Sequence, residues 1–158
     1  MSVLRNGKFT KEETLFKLDC NKATFKKVNI STTLNIMQAH LPHEILTDGI
    51  IGSLRCDDYR WMSCTGRMSL VLDLGKSESF SRIGWIALNS QSENILVPQN
   101  VKIQISEDGK QYCTILDIEK NHEIKAEQSV ECISEEVGAQ TARYIKMDFD
   151  SYKYPDKT

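Results

Sequence analysis

The sequence predicts an all-β fold, of the sandwich or barrel kind, and three observations predict it. Short runs rich in β-branched and aromatic residues recur along the chain, separated by turn signals. Val101, Ile103 and Ile105 alternate with Lys102, Gln104 and Ser106, the period of a half-buried strand. No convincing amphipathic helix exceeds one or two turns. About eight short strands result, a number that sandwiches and barrels use.

The elements follow in order. Residues 1–12 read as a loose polar lead, and residues 13–158 as one module. Thr14–Leu18 and Phe25–Ile30 are candidate first strands. The chain from Thr32 to His43 is irregular, and Pro42 opens a turn region. Leu54 to Gly66 is a long polar-aromatic loop. Ser69–Leu74 is a strand closed by Gly75. Phe80–Asn89 is mostly apolar and reads as a strand buried on both faces. Ser90–Asn94 is a polar loop followed by Pro98. Glu107-Asp108-Gly109-Lys110 is a hairpin turn, and Tyr112–Ile118 returns as the partner strand. Residues 119–128 are a charged connection. Val130–Ile133 and Ala142–Phe149 are the last strands, with Ile145, Met147 and Phe149 on one face.

Composition bounds the function. The 158 residues are 40% hydrophobic and 27% charged, ordinary for a globular domain with a real core. A formal charge of -2 argues against a dedicated nucleic-acid binder. No apolar run is long enough to span a bilayer as a helix, and Met1–Thr10 carries no apolar signal core. The long polar lead and the abrupt end read as those of an excised piece. Five cysteines include no CxxC pair, so a zinc ribbon is not expected. Most of them read as small buried hydrophobes. Cys56 and Cys64 flank one loop, and spacing alone does not pair them.

Catalysis has little support. His40 and His43 form an HxxH pair outside any helical context. Asp57-Asp58 and Glu135-Glu136 are adjacent pairs, and neighbours on a strand point to opposite faces, unlike a glycosidase dyad. No nucleophile elbow or phosphate-cradling loop occurs. Asn29-Ile30-Ser31 matches the glycosylation acceptor pattern, a weak signal.

Leu46-Thr47-Asp48-Gly49-Ile50-Ile51-Gly52-Ser53 is a turn-forming run. It admits two readings: a plain Asp-Gly turn, or the start of a hard-cation site built from one carboxylate and backbone carbonyls.

Several runs line up in order: this turn, then Trp61, Asp73-Leu74-Gly75, Pro98, Ser106 with Asp108-Gly109, and Ala142-Arg143-Tyr144-Ile145-Lys146. Over roughly residues 14–149 the chain resembles the coagulation-factor type C, or discoidin, family of galactose-binding-like domains. It looks most like carbohydrate-binding module family 32, as found at the C-terminal end of bacterial chitobiases and β-N-acetylhexosaminidases. The resemblance implies a jelly-roll β-sandwich and a non-catalytic accessory module of a secreted glycoside hydrolase. The module would be secreted, periplasmic or at the cell surface. Its implied partners are glycans ending in N-acetylhexosamine or galactose and the catalytic domain of a parent chain. Its implied cofactor is a structural calcium ion beside Asp48, with carbonyls of Gly49, Gly52 or Ser53. The alternatives are a protein- or membrane-surface adhesion domain and a structural spacer packed on a catalytic domain.

Ligands of such sandwiches sit on end loops, which rigid strands hold. A sugar needs an aromatic face for its C–H patch and planar polar groups for its hydroxyls. Asp58, Tyr59, Arg60 and Trp61 supply both kinds. Asn89 and Asn94, with Gln91 and Glu93, converge from the neighbouring loop. Trp61 is either a wall of the core or a sugar platform, and Tyr59 is the better exposed ring if Trp61 points inward. Trp85, mid-strand, reads as core.

Overall fold

A computed structural model describes residues 2–5, 8–11, 20–32, 40–119 and 128–150. The candidate strand at Thr14–Leu18 lies outside them. Within the expected polar lead, β1 (Ser2–Arg5) pairs antiparallel with β2 (Lys8–Lys11). The main body is one five-stranded antiparallel sheet. Its strands are β3 (Lys27–Ile30), β4 (Arg67–Asn89), β5 (Asn100–Ser106), β6 (Cys113–Glu119) and β7 (Ser129–Asp150), in the order β3-β4-β7-β5-β6.

Two pairs of expected strands are continuous. Ser69–Leu74 and Phe80–Asn89 are parts of β4, and Val130–Ile133 and Ala142–Phe149 are parts of β7. Gly75, the expected strand end, adopts φ +82, and the ladder shifts register between Asp73 and Glu78 and again between Phe80 and Arg82. Bulges of this kind bend a strand without ending it. Gly138, at φ +69, lies in the part of β7 that faces this break.

The bend makes two layers from one ribbon. Met68 pairs with Phe149, and Trp85 pairs with Ile133 far along the same ribbon. On a straight strand Met68 and Trp85 would stand roughly 55 Å apart. Yet the Trp85 and Phe149 rings meet edge to face with centroids 5.7 Å apart. The distal half of β4/β7 therefore folds back over the proximal half, which gives the two packed layers of a β-sandwich.

The core lies between these layers. Val28, Leu72, Leu74, Ile83, Val101, Ile103, Ile145, Met147 and Phe149 form its buried cluster. Alternation decides which residues enter it: Val101 and Ile103 are 2% and 0% exposed, and Ile145, Met147 and Phe149 share the inner face. The expectation that residues 80–89 are buried on both faces is wrong. Ile83 is buried, but Ile86 is 43% exposed, because the distal layer has only one covered face. The cysteines depart from expectation too: Cys20, Cys113 and Cys132 are exposed, and Cys56 and Cys64 are partly buried free thiols.

The outer edge of β3 is covered rather than open. A 3₁₀ turn, His43–Thr47, runs beside it. Ile30 N–H donates to His43 Nδ1 at 3.3 Å, and Phe25 N–H to the Thr47 carbonyl at 2.7 Å. His43 thus serves as an acceptor on a strand edge, a common means of blunting such edges. The hairpin after β5 forms as expected. Asp108 Oδ1 accepts from the Ser106 hydroxyl at 2.9 Å and from Lys110 N–H at 2.8 Å. Gly109, at φ +71, lies against the Tyr144 ring.

Candidate functional site

The Asp48 turn caps the 3₁₀ segment. Asp48 Oδ1 accepts Ile50 N–H at 2.8 Å, and Gly49 follows with φ +78, the geometry an Asp-Gly pair supplies at little cost. Ile50 and Ile51 are 44% and 52% exposed. At the far end of the run, the Ser53 carbonyl accepts the Trp61 indole N–H at 2.8 Å, and Ser53 Oγ accepts Arg55 N–H at 3.4 Å. Asp48 is the only carboxylate between Leu46 and Ser53. Among the described residues, no three His, Cys, Asp or Glu side chains gather as around a metal. The donors on offer, one carboxylate and carbonyls, are oxygen only, which suits a hard cation rather than zinc.

Asp58 organises the next loop. Its Oδ2 accepts Ser53 N–H at 2.8 Å, and its Oδ1 accepts Arg60 N–H at 3.0 Å. These backbone donors, Ser53 first, together with the Ser53 hydroxyl, hold the carboxyl below the usual carboxylate range. The Asp58 carbonyl takes Trp61 N–H at 3.0 Å. Asp57 is held apart by Arg55, whose Nε and Nη2 donate at 2.9 and 2.7 Å. The adjacent acids therefore have separate structural partners.

Trp61 and Tyr59 part ways. Trp61 is partly buried with its ring laid on Gly52: a Cβ there would sit 2.5 to 2.8 Å from ring atoms. Only glycine permits that approach, which explains Gly52. Tyr59 is 55% exposed. The Arg60 guanidinium lies 4.7 Å from its ring centroid, and Nη1 donates to the Tyr59 hydroxyl at 2.9 Å. The ring is thus braced on one side by a cation–π contact.

The loop after β4 is closed on itself. Ser90 N–H donates to the Ile95 carbonyl at 2.7 Å, and Ile95 N–H returns to Ser90 at 3.0 Å. The Ser90 side chain is fully buried, and Gln128 Nε2 donates to its hydroxyl at 2.7 Å. Asn89 is 5% exposed, on the last rung opposite Ser129. Asn94 stands exposed in the left-handed conformation, φ 57 and ψ 30. Gln91 and Glu93 form the 3₁₀ turn between them.

Both loops lead into strands that begin on the Asp150 rung. The Asn94 loop leads to Gln99, whose N–H donates to the Asp150 carbonyl at 3.2 Å, and then to Asn100, on the Asp150 rung. The Tyr59 loop leads to Arg67, which pairs with the same Asp150. Arg67 Nε and Nη2 donate to that carboxylate at 2.6 and 3.0 Å. Sequence reasoning gave Arg67 and Gln128 no part here. A charged residue at a strand start and a glutamine after a charged linker are common, and only pairing across the sheet reveals what they hold.

Comparison with solved structures decides the fold. The module CpGH89CBM32-6 of Clostridium perfringens is 24% identical, with a TM-score of 0.53 over 84% of this chain and 90% of that one. The chain shares the fold of that module. Chitosan-binding module 1, from a chitosanase/glucanase of Paenibacillus sp. IK-5, shares it in a selenomethionine-labelled mutant form at 19% identity and TM-score 0.59, over 85% and 89% of the chains. The C-terminal domain of a chitobiase from Bacteroides fragilis shares it at 17% identity and TM-score 0.54, over 82% and 84%. No family model and no curated protein matches the chain.

Proposed function

We propose that the chain is a non-catalytic carbohydrate-binding module. It would tether a secreted glycoside hydrolase of the chitobiase or β-N-acetylhexosaminidase type to its glycans. The observation that carries this reading is Tyr59: a half-exposed ring, braced by Arg60 on a turn fixed by Asp58, in a chain that shares the fold of a family 32 module. The free face of the ring would take the apolar C–H patch of a pyranose. Arg60 and Asn94 would take hydroxyls, and the Asp58 carboxylate positions the turn. Trp61 is the wall behind them, and Asn89 supports its loop from within. The solved modules with this fold, one chitosan-binding and one from a chitobiase, support an amino-sugar ligand such as terminal N-acetylhexosamine, with galactose as the related alternative.

Tethering raises the local substrate concentration for a catalytic domain on the same chain, so a shallow, weak site suffices. The module works outside the cytoplasm in this reading. A calcium ion at Asp48 would be held by that carboxylate and carbonyls of the Gly49–Ser53 run, and would stiffen the turn. A second reading, packing of this surface on a partner protein or membrane, is favoured by the exposed Ile50, Ile51 and Leu54.

A glycan array, read with and without calcium, tests the proposal. Binding to terminal N-acetylhexosamine or galactose glycans, lost in Tyr59→Ala while the fold survives, is the expected result. A folded, calcium-supplied protein that binds no glycan would overturn it in favour of the packing reading.

A further inference from the structure

Phe25 is held where burial energetics alone would not leave it. Its ring is 70% exposed, and its backbone has φ +58, an outlier for a bulky residue. Such a conformation persists only when its surroundings over-determine it, and here they do. Phe25 N–H donates to the Thr47 carbonyl at 2.7 Å, and Thr47 Oγ1 donates to the Lys26 carbonyl at 2.7 Å. Asn21 Oδ1 accepts Ala23 N–H at 2.8 Å, and Thr24 Oγ1 accepts Asn21 N–H at 2.8 Å. The turn holds the ring outward at the end of β3 where Lys27 pairs with Asp73, the opposite end from Arg67 and Asp150.

The same corner is basic. Lys22 and Lys76 each reach the Glu78 carboxylate at 3.3 Å. Lys26 Nζ lies 4.0 Å from where a Cβ on Gly75 would stand, and has no carboxylate partner among the described residues. Lys22 and Lys76 thus share one carboxylate, and the Lys26 ammonium is in no such pair. Asp48, on the turn that binds Phe25, Glu107, which accepts from Ser77, and Asp73, which is held by Arg143, are the acids that count against it.

We infer that Phe25 and Lys26 form a second glycan platform, one that takes an acidic sugar. The ring meets the C–H face of the pyranose, and the ammonium meets its carboxylate or sulfate. The inference rests on the glycan-binding reading but uses Phe25 and Lys26 in place of Tyr59. Polar Asn21, Lys22 and Lys26 flank this ring on one side, and exposed Leu46, Ile50 and Ile51 lie on the turn that bonds it, so a lipid surface is the competing occupant that the vesicles below test.

NMR titration of the whole chain tests it, with tetragalacturonate as the carboxylated probe, a sulfated disaccharide as the sulfated one, and triacetylchitotriose as the neutral one. Phe25→Ala, Phe25→Leu and Lys26→Gln are each expected to weaken binding of an acidic probe roughly three- to tenfold. Tyr59→Ala is expected to leave it unchanged, and rising salt to weaken it. The result that overturns the inference is unchanged binding in all three Phe25 and Lys26 variants, equal loss in Tyr59→Ala, or binding to phosphatidylserine vesicles with neither acidic probe bound. Failure of triacetylchitotriose alone would count against the Tyr59 site and leave this platform standing.

Discussion

Asp73 and Arg143 are joined by two parallel bonds: Nε and Nη2 of the guanidinium donate to Oδ1 and Oδ2 at 2.9 and 3.0 Å. Asp73 Oδ1 also takes Gly75 N–H at 2.8 Å. Arg143 further lies 4.9 Å from the centroid of the Tyr144 ring, which rests on Gly109. Two short sequence motifs, Asp73-Leu74-Gly75 and Ala142-Arg143-Tyr144, are thereby one structural unit that fixes the bend of the ribbon and seats the β5–β6 hairpin.

The pair has a pH signature. Arg143 first, then the Gly75 amide, hold the Asp73 carboxyl below its usual range. A depressed carboxyl stabilises the fold above its unfolded value, near 3.9, and that stability is lost as pH falls through the lower folded value. Asp73→Asn is expected to lower Tm near neutral pH, and the gap from the parent to close as pH falls below the ordinary carboxylate range. Thermal melts across that range check it.

Gly52→Ala drives a methyl group into the Trp61 ring. Ring atoms stand 2.5 to 2.8 Å from its position, so the indole must move. A loss of about 1–3 kcal/mol is expected, read by denaturant unfolding, with a change in tryptophan fluorescence in the folded state.

Gln128→Leu leaves the fully buried Ser90 hydroxyl without its donor. An unpaired buried hydroxyl costs about 1–3 kcal/mol. The amides of residues 91–94 should exchange faster in the variant, because this contact ties their loop to the sheet. Ser90→Ala with Gln128→Leu removes both partners at once and is expected to cost less than Gln128→Leu alone.

Ile103 has no exposed surface. Ile103→Ala is expected to cost about 2–5 kcal/mol by chemical denaturation, the largest loss among these variants.

Calcium at Asp48 predicts a ligand-dependent melt. Calcium at about a hundred times its dissociation constant adds about 2.7 kcal/mol to the folded state. A rise in Tm that EDTA reverses and Asp48→Ala abolishes is expected. An identical melt in calcium and EDTA would remove the ion from the proposal.

The sequence makes the strands legible because each strand with one covered face alternates, as Val101 to Ile105 does. It also makes the turns legible where a side chain ties its own backbone, as Asp108 and Asp48 do. It hides the continuity of β4 and β7, because Gly75 is read as a terminator and only the opposite strand turns that break into a bulge. It cannot separate Trp61 from Tyr59 as exposed rings, since the difference is made by Gly52, farther back in the same loop region. Phe25 looks like strand by composition, and only the Thr47 contact shows it held in a turn.

The doubled ribbon sets an order for folding. Asn89 and Ser129 close the shortest crossing of β4 and β7, whereas Arg67 and Asp150 stand 83 residues apart in sequence. Forming the outer rung directly would close a loop about twice as long, at roughly 0.6 kcal/mol more entropy. Zipping from Asn89 and Ser129 instead makes each later rung nearly local. Such non-local pairing makes for slow folding, and the Trp85 contact with Phe149 can form only when the zipper is almost complete. The change in Trp85 emission as it leaves water and meets Phe149 therefore times the last step of assembly.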